Sequence, residues 1–205
     1  MKRLFVTGIS TEVGKTIASA IIVEALEADY WKPIQAGDLQ YSDSDKVEKL
    51  ISNTKTVIHK NSYALTSPMS PHAAADIDGI LIRQESIKEP ETHNHLVIEG
   101  AGGILVPIND NETILDLIKP GYKVIVVSRH YLGSINHSLL TIETLKARGF
   151  EVFVIFSGEE HPTTENIILS KTGVPFIGRI SEEESFNKQV IKKYAEDFRS
   201  RLTAI

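Results

Sequence analysis

Short apolar runs alternate along the chain with stretches in which apolar residues recur every three or four positions. Arg3–Gly8 (RLFVTG) reads as a buried strand, and Lys15–Ala28 as a helix with Ile17, Ile21 and Ala25 on one face. Tyr30–Ile34 (YWKPI) reads as a second strand, stopped by Pro33. His95–Glu99 is a strand that ends in glycines, and Tyr122–Ser128 is an unbroken apolar strand. Ser134–Gly149 is a helix with Leu139, Ile142 and Leu145 in register and a glycine closing it. EVFVIFSG and VPFIG supply two later strands. Strands that are apolar throughout, alternating with helices, predict an α/β fold with a mostly parallel sheet covered by helices on both faces. The least regular stretch, Ser52–Asn94, is expected to build a substrate pocket. Near the end, Phe186, Val190, Ile191, Tyr194, Phe198 and Leu202 recur at helical spacing. Packing of this helix on the domain is expected rather than binding to a membrane surface, because Glu196 and Asp197 interrupt its basic face.

Composition narrows the picture. A chain of 205 residues suits one large domain, 1–205, with a full core. The net charge of −5 argues against general affinity for nucleic acid. The absence of cysteine excludes a disulfide framework, zinc-thiolate sites and thiol catalysis. No run approaches the roughly 18 consecutive apolar residues of a membrane span. The opening MKRLFVTG is too short an apolar run for a signal peptide. A cytoplasmic enzyme that binds neither membrane nor nucleic acid is the expectation.

Candidate chemistry begins at Gly8–Thr16 (GISTEVGKT), which follows a strand and opens a helix. That context gives a phosphate-binding loop its meaning, because backbone N–H groups and the positive helix end hold phosphate oxygens. Lys15 is placed to bridge the β- and γ-phosphates, and Thr16 to offer its hydroxyl to Mg²⁺. Five residues, Ile9 to Val13, separate the first glycine from the Gly-Lys pair where four are usual, and one of them is Glu12. A carboxylate facing a triphosphate would repel it. Glu12 therefore points either to a cationic substrate group such as an amine or to solvent. Lys32 closes the second strand at the edge where open α/β sheets bind ligands. Glu99 ends a buried strand ahead of Gly100, Gly102 and Gly103, which let backbone approach phosphates. Asp43 and Asp45 are further candidate Mg²⁺ ligands, and one of them caps the helix that starts near Ser44. Asp45 is the preferred metal ligand of the two.

TGISTEVGKT, KP (Lys32–Pro33), SPH (Ser70–His72), EGAGG (Glu99–Gly103) and LGSINHSLLT (Leu132–Thr141), in this order, resemble the dethiobiotin synthetase family of biotin biosynthesis. The resemblance covers Lys2 to Gly149 with specific motifs and continues more weakly to Gly178. It implies a P-loop NTPase-like domain, and the longer loop is the family's own form. It also implies the reaction: one amine of 7,8-diaminononanoate takes up CO₂ to give a carbamate, ATP phosphorylates the carbamate, and the neighbouring amine closes a ureido ring with loss of phosphate. Thr11, Glu12, Lys15 and Lys32 are then the catalytic set, and Thr16, Asp45 and Glu99 hold Mg²⁺. Nucleotide contacts fall on Glu12, Val13, Gly14, Lys15, Thr16, Ile17, Gly100, Gly102, Gly103 and Ser157. The diamine substrate falls to Lys32, Ala36, Gly37, Ser70 and Pro71. Its carboxylate goes to Gly133, Ser134, Ile135 and Asn136 at a helix start of the partner chain in a homodimer, an arrangement sound for an anion.

Two departures from the family pattern stand out. Ser157 occupies the place of an asparagine that reads the adenine edge, and GRISEEESF replaces a proline-containing turn. A serine cannot make the paired hydrogen bonds of an amide. The alternatives to ring closure are a cobyrinic acid diamide synthase-like ligase and a P-loop switch ATPase. The first is usually accompanied by an amidotransferase domain with a reactive cysteine. The second usually carries an additional lysine early in the loop, where this chain has GISTE.

Overall fold

A computed structural model describes residues 1–205. In chain order the elements are β1 (Arg3–Gly8), α1 (Lys15–Leu26), β2 (Asp29–Trp31), β3 (Ile34–Ala36), α2 (Asp43–Leu50), β4 (Ile58–His59), β5 (Tyr63–Leu65), α3 (Pro71–Ile77), β6 (Leu96–Gly103), β7 (Lys123–Arg129), α4 (Ser134–Ala147), β8 (Glu151–Ser157), α5 (Pro162–Thr172), β9 (Phe176–Ile180) and α6 (Lys188–Ala204). Seven strands form one sheet in the order β4-β2-β6-β1-β7-β8-β9, and every pair in it is parallel. The apolar strands require this: Leu4 to Val6, Leu96 to Ile98 and Val124 to Val127 are buried on both faces.

Two boundaries differ from the sequence reading. The YWKPI segment is two strands, not one. Pro33 has no N–H to give to a ladder, and its carbonyl instead accepts from the N–H groups of Ser62 and Tyr63. The chain leaves the large sheet after Trp31, and β3 pairs with β5 in a separate two-stranded sheet. The glycines after Glu99 continue β6 rather than end it, with Gly103 opposite Gly8. The C-terminal helix packs on the domain as expected, burying Ile191, Tyr194, Ala195, Phe198 and Leu202. Phe198 lies so close to β9 that a Cβ on Gly178 would stand 2.1 Å from its ring, so only glycine fits there.

β1 is the centre of the sheet. The chain fills one side of it first, with β2, β4 and β6, and then the other, with β7, β8 and β9. The strand order therefore reverses at β1, and the crevice beyond its C-terminal end is where such sheets take ligands. No helix is long and apolar enough to cross a membrane.

Candidate active site

The loop between β1 and α1 occupies that crevice. Gly14, at the helix N-cap, has φ +93°, a conformation glycine adopts at little cost. Glu12 has φ +53°, a left-handed conformation that costs a non-glycine residue about 1–2 kcal/mol. Its side chain is exposed. Val13 turns the other way, beneath the loop, where it fills the space that a Cβ on Gly8 would need. Lys15 is buried, and its ammonium donates to the Ser10 carbonyl at 3.1 Å. Burial pulls the Lys15 pKa below the usual lysine value. The nearby Glu99 carboxylate opposes that shift and the Lys32 ammonium adds to it.

Glu99 is the hub of the site and has no exposed surface. Its Oε1 accepts from the Thr16 hydroxyl at 3.0 Å and from the Lys32 ammonium at 3.1 Å. Its Oε2 accepts from the Tyr30 hydroxyl at 2.9 Å. Lys32 also donates to Asp43, and Asp43 is further paired with Lys46 at 3.1 Å. Burial alone would lower the Lys32 pKa. The two carboxylates outweigh it, and the pKa is raised.

The two aspartates are held differently. Asp45 accepts from the Ser42 N–H at 2.7 Å and its hydroxyl at 2.6 Å, while the Ser42 Oγ accepts from the Asp45 N–H at 3.3 Å. This capping box commits the Asp45 carboxylate to the start of α2. The sequence reading put Asp45 beside Thr16 and Glu99 as a metal ligand, but Asp45 does not line the cavity, and Asp43 is the aspartate that joins the cluster. The reason is register. Ser42 is the N-cap, so Asp43 is the first residue of the helix and Asp45 the third, the position whose side chain reaches back.

These groups line one end of a cavity of 1170 Å³. Single-ligand pockets run about 300–1,000 Å³, so there is room for a nucleotide and a second molecule. Thr11, Glu12, Gly14, Lys15, Thr16 and Ile17 form its loop wall, and Gly102 and Gly103 lie beside them. Lys32, Ala36, Ser70, Pro71 and Glu99 are on its walls as well. Gly37 and Gly100 are not. Gly37 packs against Pro68, and Gly100 against Phe5 and Ile114. Ser157 also stands apart from the cavity. It ends β8, buried, with its Oγ 3.1 Å from where a Cβ on Gly14 would stand.

Gly133, Ser134, Ile135 and Asn136, at the start of α4, do not line the cavity. The following turns of the same helix do, through His137, Leu140, Thr141 and Thr144. Sequence reasoning missed that wall, and it missed Tyr30 and Lys46. The alternation of YWK placed Tyr30 and Lys32 on one face of a strand, which was a usable signal. The sequence pointed to the start of α4 through the LGSINHSLLT motif, but not to its later turns as a wall of the cavity in the same chain.

A family model described as an AAA domain matches residues 2–190. The chain is similar to the protein named ATP-dependent dethiobiotin synthetase BioD of Christiangramia forsetii, 61% identical over 205 residues, covering 100% of this chain and 99% of that one. It is similar to the protein of the same name from Cytophaga hutchinsonii, 47% identical over 198 residues, covering 95% and 96%. Among solved structures it is similar to the MinC:MinD cell division protein complex of Aquifex aeolicus, with a TM-score of 0.59 at 17% identity, covering 100% of this chain and 96% of that one. A putative plasmid partition protein of Borrelia burgdorferi bound to AMPPNP gives a TM-score of 0.55 at 16% identity, covering 98% and 95%. At such identities these two structures speak to the fold, which is that of the P-loop NTPases.

Proposed function

We infer from its membership of the dethiobiotin synthetase family, to which the chain belongs over its full length, that this protein is an ATP-dependent carbon–nitrogen ligase that closes the ureido ring of dethiobiotin. The observation that carries the reading is the convergence of Lys15, Lys32, Thr16 and Glu99 at one end of a cavity large enough for two substrates. The reaction joins CO₂ to an amine of 7,8-diaminononanoate, transfers the γ-phosphoryl group of ATP to the carbamate oxygen, and expels phosphate as the second amine attacks the carbamate carbon. Such phosphoryl transfer needs positioning and charge neutralisation more than covalent participation.

Lys15 serves the γ-phosphate. Its present hydrogen bond to the Ser10 carbonyl is one that a phosphate oxygen replaces with a stronger, charge-assisted one. Lys32 holds a full positive charge, because Glu99 and Asp43 raise its pKa, and it neutralises the carbamate and the transferring phosphoryl group. Thr11 and Glu12 stand at the loop wall, where Glu12 faces an amine of the substrate. Ala36, Ser70 and Pro71 shape the far side of the cavity.

Mg²⁺ fits the residues present. It prefers hard oxygen ligands in an octahedron and keeps only one or two carboxylates from protein beside phosphate oxygens. Thr16, Glu99 and Asp43 supply a hydroxyl and two carboxylates in one cavity, and both carboxylates already share one cation, the Lys32 ammonium. When bound, Mg²⁺ supplies charge neutralisation at the phosphate oxygens.

A homodimer completes the site. The start of α4 lies off its own cavity, and around it Leu132, Ile135 and Leu140 are exposed, as is Leu105. A two-fold contact through this face brings each Gly133–Asn136 segment to the partner's cavity, where backbone N–H groups hold the substrate carboxylate.

The test is phosphate release from ATP with and without diaminononanoate and bicarbonate. Release that requires both compounds supports ring closure. Hydrolysis indifferent to both would mark a switch ATPase and overturn the reading.

A further inference from the structure

Tyr30 has no exposed surface, yet its hydroxyl reaches the most buried acid of the active site. The geometry follows from strand alternation. Trp31 points to the opposite face, where its indole N–H donates to the Lys60 carbonyl at 3.1 Å. Tyr30 and Lys32 share the other face. Tyr30 in β2 and Lys32, the residue just past its end, thus reach the two oxygens of one carboxylate on the neighbouring strand: Lys32 to Glu99 Oε1 and Tyr30 to Glu99 Oε2.

An ionised carboxylate accepts at about four lone-pair sites. Thr16 and Lys32 use two on Oε1, and Tyr30 uses one on Oε2. Were Oε2 without a partner, the carboxylate would gain by turning both oxygens toward Lys32, its only cationic neighbour within hydrogen-bonding distance. The phenol holds it against that rotation.

We propose that Tyr30 is a positioning residue that fixes the orientation of Glu99 and so sets the affinity of the enzyme–nucleotide complex for its divalent cation. This rests on the reading of Thr16 and Glu99 as Mg²⁺ ligands. Partners that orient a metal ligand are worth roughly 10- to 100-fold in metal affinity when removed. Tyr30 contributes nothing to the triphosphate itself, so its effect should be confined to the cation.

The experiment is Tyr30→Phe in the full chain, which keeps the ring and removes the hydroxyl. Calorimetry with AMPPNP would be run in EDTA and then across a Mg²⁺ titration. The expected result is apparent Mg²⁺ affinity weaker by roughly 10- to 100-fold, with AMPPNP affinity in EDTA within twofold of wild type. Unchanged Mg²⁺ affinity would overturn the proposal. So would an equal loss of AMPPNP affinity in EDTA, which would make Tyr30 a support of the fold alone. A wild-type chain that gains nothing from Mg²⁺ would instead remove the metal reading, and this proposal with it. Should Tyr30→Phe not fold, the wild-type chain labelled with 3-fluorotyrosine gives a second readout. The ¹⁹F line best shielded from a soluble relaxation agent, that of fully buried Tyr30, should move when Mg²⁺ is added to the AMPPNP complex. A stationary line would count against the proposal.

Discussion

Asp43 accepts a hydrogen bond from the Lys32 ammonium, while Asp45, two residues further along α2, is turned back onto Ser42. Two similar carboxylates in one helical turn therefore serve different ends. Asp43→Asn should lower turnover by at least tenfold, because Lys32 loses a charged partner and Mg²⁺ a candidate ligand. Asp45→Asn should leave turnover within about threefold and reduce stability by about 1 kcal/mol, the typical worth of a cap. Steady-state kinetics and thermal melts of both variants decide the matter. The reverse pattern would restore Asp45 as the ligand.

Lys15→Ala should reduce turnover at least ~100-fold, the lower end of losses when one preorganised charge donor is removed. The side chain hydrogen bonds only to Ser10 of its own loop, so circular dichroism should show the fold intact. Activity above about a hundredth of wild type would remove the γ-phosphate role.

Glu12→Gln should weaken binding of diaminononanoate more than that of ATP. Glu12 lines the cavity from a left-handed backbone position that no hydrogen bond of its side chain explains. Glutamine keeps the shape and loses the charge. Separate Michaelis constants for the two substrates would show it. A change confined to the nucleotide would mean that Glu12 only shapes the loop.

Subunits should complement one another. A chain carrying Lys15→Ala, mixed with a chain altered at Ser134 and Asn136, should regain activity through one intact shared site. In sedimentation the wild-type chain should run as a dimer, and Leu132→Glu with Leu140→Glu should dissociate it, since both leucines are exposed. Full activity from a species that sediments as a monomer would sink the shared site.

Discrimination among nucleotides should be weak. Ser157 lies against Gly14 rather than on the cavity wall, and it lacks the amide that pairs with a base edge. A site built with such groups rejects the wrong base by as much as ~10⁴-fold, whereas the loss of one hydrogen bond is worth about tenfold. Ring closure with ATP, GTP and CTP at equal Mg²⁺ should agree within about tenfold in kcat/KM. A preference for ATP of a hundredfold or more would show that other residues read adenine.

The sequence by itself determined the sheet, the loop and the family. Unbroken apolar strands can only be buried on both faces, which forces parallel pairing under helices. A Gly-Lys-Thr between a strand and a helix acts through its own backbone, so its role is local and can be read from nine residues, Gly8–Thr16. The C-terminal helix was legible for the same reason, because the spacing of Ile191, Phe198 and Leu202 already defined its buried face. Tertiary structure decided what depends on partners far along the chain. Glu99 gathers Thr16 from α1, Tyr30 from β2 and Lys32 from just beyond β2, across separations of 83, 69 and 67 residues. The choice between Asp43 and Asp45 turned on a helix start fixed within one residue, a register that propensity does not set and the Ser42 cap does. Pro33 split one apparent strand between two sheets because its carbonyl found Ser62 and Tyr63. The hydrogen bonds to Glu99 and to the Pro33 carbonyl join groups that only the folded chain brings within reach, whereas the Ser42 cap is local to its own helical turn.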